Sequence, residues 1–453
     1  MYMVAGVLPR VPLSFRRMYG REQVSYRPYF GLKSYGPYKG VDVNIIHLVP
    51  SDDHLITEYG NIFDFVQDSI QRILSDILSM SGNTVRIEKR QITYSDLAEL
   101  RMEAIREIVE EIERGITNNT VVLIPLLSNV IDNPDKFYAK LKAYGLKYNI
   151  ITQVYSDSGI IRLLRSSLLT QQTRQNITPA LLNLALNIFA KAGGVPWTLY
   201  NATPYDLTIG ISWGVRKVYE KMTGPTVKIY GVVSVFDNFG NWEYMDAFLC
   251  RTKKDELVKA IKTVIDECVN STSTNRDYRK VLILTREPFK HELIKGFIFE
   301  LIRMGIFVDV AIVSVMDPIR LYNIDSENYL PDKGVYCIVS NNQAYLATTG
   351  VYMRKYYGMG TPRPIKVTLQ MSSSGKPKET LRDVLFTIHS LTFLSWRSFW
   401  GQIRLPVPLY YSSILSRLMR MLDSEDIKGS FIIHREYLLR PPNSETRERL
   451  WFL

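Results

Sequence analysis

Residues 206–214 read DLTIGISWG. Apolar side chains fall on alternate positions, the period-2 signature of a strand, and the run ends in small residues. Two more β-rich runs follow closely, TVKIYGVVSVFD (226–237) and NWEYMDAFLCR (241–251). The DNFGN at 237–241 between them is a good hairpin turn. Downstream, a helix is predicted over 255–269, the strand KVLILT over 280–285, a helix over 290–304 and the strand FVDVAIVSV over 307–315. Later helices are expected at 379–396 and 410–422. Three antiparallel strands followed by strand–helix alternation predict a mixed sheet covered by helices.

Upstream of GGVPW (193–197) the pattern differs. VDVNIIHLV (41–49), NTVRIEKRQI (83–92), TVVLIPLL (120–127) and NIITQVYS (149–156) read as strands. Helical spacing fills the intervals at 59–78, 96–116 and 135–148, the last started by Asn133–Pro134. PALLNLALNIFAKAGG reads as a helix with Pro179 near its start and Gly193 beyond its end. Such alternation predicts a parallel sheet flanked by helices. Residues 1–40 read as an irregular arm rich in Tyr, Gly and Pro, with seven basic residues (Arg10, Arg16, Arg17, Arg21, Arg27, Lys33, Lys39) against Glu22. Arginine interleaved with tyrosine suits phosphate contact and base stacking, or packing on a partner protein.

The 453 residues leave room for about three domains. A net charge of +11 points to an anionic partner, nucleic acid before a membrane surface. Cys250, Cys268 and Cys337 are widely spaced, and His47, His54, His291, His389 and His434 form no HxxxH or HExxH pattern. Neither a disulfide framework nor a zinc site is expected, and the cysteine usage suits a reducing, cytoplasmic compartment. No basic stretch precedes the short apolar run at the N-terminus, so no signal peptide is expected. No apolar stretch reaches the roughly 18–20 residues of a membrane span, so membrane association would run through a partner.

Five local patterns, in order, carry a resemblance. KAGGVPW (191–197) looks like the Lys-x-Gly-Gly-x-Pro-Trp junction between the MID and PIWI domains of Argonautes. IGISWG (209–214) sits where PIWI domains have Ile-Gly-Ile-Asp-x-Ser, and LILTREPF (282–289) where their strand ends in Arg-Asp-Gly. GTPRPIKV (360–367) looks like the Gly-Thr-x-Arg-Pro motif. LTFLSWRSFWGQIRLPVPLYYSSIL (391–415) is similar to the closing Leu-Thr-x-x-Asn-Trp…Leu-Pro-x-Pro-x-x-Tyr segment. Over about residues 41–453 the chain resembles the MID–PIWI half of an Argonaute, without N or PAZ domains, as in truncated prokaryotic Argonautes.

The resemblance implies an α/β fold: a Rossmann-like MID domain with a parallel sheet (41–194), then an RNase H-like PIWI domain with a mixed sheet (195–453), behind the 1–40 arm. It also implies a pocket for a guide 5′-phosphate at Tyr138, Lys142, Gln153 and Lys191. Tyr138 and Lys142, spaced i,i+4, share a helix face. Ammonium groups, a phenol and an amide, with open N–H groups where a helix begins, are the donors a terminal phosphate takes. Relatives often hold a divalent cation there through a Gln one turn before the last Lys and through the C-terminal carboxylate. Here those positions are Asn187 and Leu453, with Mg²⁺ as the expected ion.

PIWI cleavage uses two hard cations held by four acids. Ser212 stands at the first Asp position and Glu287 at the second, before Pro288 rather than Gly. The hydroxyl brings no charge, and the longer side chain displaces the surviving carboxylate by roughly 1.5 Å. The fourth position falls at Leu394 or Ser395, and Glu243 or Glu256 would be the mobile glutamate. Asp206 lies about 20 Å from Ser212 along an extended strand, too far to substitute.

A binder without nuclease activity is expected. A short 5′-phosphorylated guide, RNA by preference, recognises a single-stranded target, DNA by preference, with base pairing supplying sequence specificity. Arg363 and the basic arm are expected backbone contacts. The resemblance also implies defence against invading genetic elements, with a companion protein that supplies the missing N-terminal lobe or an effector. Two other readings stay open: a guided endonuclease with an unusual metal site, and a protein-interaction scaffold that has lost guide binding.

Overall fold

The computed structural model describes residues 4–18, 20–93, 107, 119–127, 134–148, 150–167, 171–220, 224–251, 278–289, 292–324, 329–349, 362–373, 376–399, 403–422, 450 and 452. The helix expected over 255–269 and, apart from residue 107, the one expected over 96–116 lie outside these residues, as do Glu256 and Leu453.

In chain order the elements are β1 (Val4–Val7), β2 (Leu13–Met18), β3 (Arg21–Ser25), α1 (Pro28–Tyr35), β4 (Val43–Pro50), α2 (Asp53–Leu78), β5 (Val85–Ile92), β6 (Thr120–Leu126), α3 (Pro134–Lys147) and β7 (Thr152–Ser156). A π-helical turn leads into α4 (Arg162–Ser167) and α5 (Gln171–Lys191). Then come β8 (Thr198–Leu199), β9 (Leu207–Glu220), β10 (Gly224–Asp237), β11 (Trp242–Arg251), β12 (Lys280–Thr285), α6 (Glu292–Arg303) and β13 (Phe307–Ser314). β14 (Val335–Ser340), β15 (Gln343–Leu346), β16 (Ile365–Ser372), α7 (Pro377–Leu391) and α8 (Val407–Leu422) complete the order.

The chain divides into two compact units. One holds residues 13–197 with 396–400 and 421–453; the other holds 1–12, 198–395 and 401–420. The chain is therefore α/β, with a parallel sheet in the first unit and a large mixed sheet in the second.

In the first unit the strand order is β5-β4-β6-β7, every pair parallel. Inner strand β6, TVVLIPL, is buried at every position, as a strand covered on both faces must be. Edge strand β5, VRIEKRQI, is largely half-exposed and carries charges, which discourages further strand pairing. His47 is fully buried in β4. Its ring nitrogens meet Gln67 Oε1 of α2 at 3.2 Å and the Tyr155 hydroxyl of β7 at 2.8 Å. Burial pushes the imidazole down to about 4, so it is neutral and structural.

The second unit is built on a nine-stranded sheet, β1-β14-β15-β16-β13-β12-β9-β10-β11. β12 runs parallel to both β9 and β13, and the other pairs are antiparallel. Leu207, Ile209 and Ile211 of β9 face a core completed by Ile298 and Leu301 of α6. Leu282 and Leu284 of β12 face the opposite core with Leu381, Val384 and Leu385 of α7 and Leu409 of α8. The β10–β11 hairpin closes as expected: Asp237 accepts the Phe239 and Asn241 amides at 2.9 and 2.8 Å, and Gly240 takes a φ of 77°.

Two expectations are corrected. Residues 1–40 are not an irregular arm. β1 pairs antiparallel with β14, β2 pairs with β3, and α1 follows. Strand β1 is only four residues long and its partner lies in the last third of the chain, so no local pattern reveals it. Pro179 lies inside α5, which begins at Gln171; Pro179 is tolerated there rather than acting as a start. Strands β14 and β15, only six and four residues long, also escape sequence reading.

Helix α8 approaches β9 at Gly210, where an added Cβ would lie 2.2 Å from the Pro408 carbonyl carbon. Ser234 Oγ donates to the Pro408 carbonyl at 2.7 Å and holds the same point. Neither backbone can give way, so Gly210→Ala should destabilise this unit by about 3 kcal/mol and lower its melting temperature by about 6–12 °C. Gly296→Ala on α6, where an added Cβ meets nothing within 4 Å, should instead stabilise it slightly. Thermal unfolding of the two variants checks both signs.

Candidate functional site

Helix α3 carries Tyr138 and Lys142 one turn apart, with the Lys142 ammonium 5.5 Å from the Tyr138 ring centroid. Next along the chain is β7, whose first residue is Thr152. Lys142 Nζ donates to the Thr152 carbonyl at 2.5 Å. Lys191, the last residue of α5, donates to the same carbonyl at 2.9 Å and to Gln153 Oε1 at 2.6 Å. Gln153 is held in turn by its Nε2, which donates to the Val154 carbonyl at 2.8 Å. All four residues predicted for the phosphate pocket are thus in one place.

Both lysines are buried, Lys142 2% and Lys191 0% exposed. Two ammonium groups sharing one carbonyl oxygen repel each other, and burial penalises both charges. Burial pushes Lys142 down to about 8, opposed in part by its hydrogen bond with Lys191 and aided, to a smaller extent, by the Arg397 charge. Lys191 is driven well below its usual range by burial and then by the Lys142 charge. Burial raises the Tyr138 phenol, with Arg397 acting in the other direction. A doubly charged anion would relieve the repulsion and favour the charged form of both lysines. Sequence reading missed Arg397 because nothing local ties an arginine in the 396–400 segment to α3.

Asn187 lies one turn before Lys191 on α5. Its Nδ2 donates to the Asn183 carbonyl at 2.6 Å, and its buried Oδ1 has no partner among the described residues. That amide oxygen fits the oxygen donors a hard cation takes. Leu450 and Phe452 are buried in the same unit, as the apolar C-terminal residues suggest, while Leu453 lies outside the described residues.

In the other unit, the parallel register pairs Ile211 of β9 with Thr285 of β12. Ser212 therefore follows directly on one strand, and Arg286 and Glu287 on the other. A cleft of about 470 Å³ opens there, beside the middle of β9 and beyond the ends of β12 and β13. Ser212, Arg286, Glu287 and Ser314 line it, together with Arg417 and Arg420 of α8. Ser212 and Glu287 are brought together as expected. Glu287 is the one carboxylate among the described lining residues, and three arginines line the same cleft.

The other predicted positions lie apart from this cleft. Asp206 accepts the Arg279 and Lys280 amides, both at 2.8 Å, at the opposite end of β12. Leu394 and Ser395 are buried, and Glu243 sits on β11. Arg363 is exposed, and its carbonyl accepts a hydrogen bond from Arg404 Nε at 3.1 Å. Burial, then the charges of Arg363 and Arg320, lower the Arg404 guanidinium. Arg320, Arg363 and Arg404 thus form a basic cluster, which the GTPRP motif alone did not reveal.

Among the described residues, no group of three or more His, Cys, Asp or Glu side chains is placed to hold a metal ion. No described helix is long and apolar enough to cross a membrane. A scan against protein-family models gives no match, and a search of curated proteins gives none either. The resemblance to Argonautes therefore stands on the five motifs and on the residues brought together around Thr152.

Proposed function

We propose that the protein is a guide-dependent nucleic-acid binder, acting in the cytoplasm. A short guide, RNA in this reading, docks its 5′-phosphate on Lys142, Lys191, Gln153 and Tyr138. The guide then pairs with a complementary target strand, DNA in this reading, in defence against invading genetic elements. The observation that carries this proposal is the convergence of two buried ammonium groups on the Thr152 carbonyl. Such a pair is costly to the fold alone and becomes favourable when a dianion enters.

Each residue has a distinct part. Lys142 and Lys191 supply charge, Gln153 fixes the Lys191 ammonium, and Tyr138 offers a phenol donor. Asn187 Oδ1 would help hold a divalent cation, which would neutralise further phosphate charge at the guide end. The second unit contributes a surface for the paired strands rather than a blade. Ser212 and the arginines around Glu287 support this reading, since two bridging cations need several carboxylates. Output then falls to a companion protein.

Replacing both lysines with methionine keeps the apolar stems and removes the charges. Lys142→Met/Lys191→Met should lower affinity for a 5′-phosphorylated oligonucleotide by about 100-fold, at about 1.4 kcal/mol per tenfold, and leave 5′-hydroxyl binding unchanged. Equal binding of the two oligonucleotides by the wild-type protein would sink the proposal.

The pH dependence has a definite sign. The free lysines are depressed and the bound dianion raises them, so binding takes up protons. Affinity for the 5′-phosphorylated strand should fall as pH rises through about 8, by up to about tenfold per unit for each proton taken up. Below about pH 6 the terminal phosphate protonates and the trend reverses. Calorimetry in buffers of different ionisation enthalpy should show the proton uptake directly.

A further inference from the structure

The cleft beyond the C-terminal ends of β12 and β13, beside the middle of β9, holds more positive charge than a degenerate metal site would require. Arg286 comes from the loop after β12, and Arg417 and Arg420 from one face of α8, with Ser413 and Ser416 beside them. All three arginines are exposed. Among the described residues, none of the three guanidinium groups has a carboxylate within ion-pairing distance. Glu287 is their nearest candidate by sequence, yet only its backbone carbonyl is engaged, accepting from Thr285 Oγ1 at 2.7 Å.

We propose that this cleft is a phosphodiester-binding site for a nucleic-acid backbone. In it, Arg286, Arg417 and Arg420 hold the negative charge that metal ions hold in a cleaving enzyme. The proposal rests on the nucleic-acid reading above, and it reverses the part played by Glu287. Guanidinium groups present planar forks of N–H donors that fit phosphate oxygens, and they stay charged at any working pH. The hydroxyls of Ser212, Ser413 and Ser416 lie in or beside the same walls and suit neutral contacts to phosphate oxygens.

A volume of about 470 Å³ takes a sugar-phosphate unit but not a folded partner. The same unit bears the second basic cluster, Arg320, Arg363 and Arg404. A small anion would use one cluster, whereas a polyanionic strand can use both. Glu287 then acts as a selectivity element. Its charge repels phosphate weakly and keeps free anions from filling the cleft.

The test uses the full chain, loaded with a 5′-phosphorylated guide, and measures binding of a complementary strand as a function of salt. A preannealed short duplex with 5′-hydroxyl ends is titrated in parallel. Arg417→Gln/Arg420→Gln should weaken binding about 10–100-fold and reduce the slope of log affinity against log salt by about two. Loading of the guide should not change. Arg417→Lys/Arg420→Lys should keep most of the slope, which a merely structural role for the arginine forks would not predict.

Glu287→Gln gives opposite signs for the two readings of the cleft. Phosphate held by arginine predicts binding about 2–5-fold tighter and independent of Mg²⁺. A metal site predicts weaker, Mg²⁺-dependent binding, and that result would overturn the proposal. Unchanged affinity and slope in the double-glutamine variant, with target and duplex alike, would also overturn it. If the wild type loads no guide while the duplex arm still shows the loss of slope, the guide reading fails and the cleft assignment holds.

Discussion

Everything in the second unit that faces a ligand depends on how closely α8 can lie on β9. The two meet where Gly210 has no Cβ, against the backbone of Pro408. A second glycine, Gly214, is less tightly held, with an added Cβ lying 3.3 Å from the Ser416 carbonyl oxygen and 3.7 Å from the Arg420 side chain. Ser234 fixes the start of the helix from the neighbouring strand, and Tyr411 packs on Phe236 and Trp242 with ring centroids 6.1 Å apart in both cases. With the helix so held, Ser413, Ser416, Arg417 and Arg420 come to stand over the ends of the parallel strands. One close approach thus shapes both the core and the cleft wall.

The protein holds positive charge in two physically different ways. In the first unit the charges are lysines, buried among α3, β7 and α5, and their protonation responds to what binds. In the second unit they are exposed arginines, which present planar forks of N–H donors. A terminal phosphate, small and doubly charged, suits the buried pair, which gains most from a dianion at short range. A strand backbone, with one charge per phosphate, suits an open row of guanidinium groups. The division follows from burial and from the chemistry of the two cations.

Much of the fold is legible in the amino-acid sequence. TVVLIPLL can be read as a strand because one buried on both faces must be apolar throughout, and KVLILT for the same reason. The hairpin at Asp237 is legible because its side chain and Gly240 serve the turn locally. Strands β1 and β14 are not legible, since four apolar residues become a strand only when a distant partner is offered. Pro179 misleads because proline marks helix starts statistically, whereas α5 has already begun at Gln171.

The site divides along the same line. Tyr138 and Lys142 share a face because helical geometry sets i and i+4 together, and the KAGGVPW motif marks Lys191. Sequence alone therefore determined which side chains could meet a phosphate, the strand on which Ser212 sits, and the loss of a carboxylate there. Only the tertiary structure decided that both ammonium groups share the Thr152 carbonyl, that Arg397 adds to their field, and that three arginines line one cleft with Glu287. Those placements need strands and helices far apart in the chain to pack at fixed distances. Charge and hydrogen bonding act through space, and spacing along the chain carries no record of them.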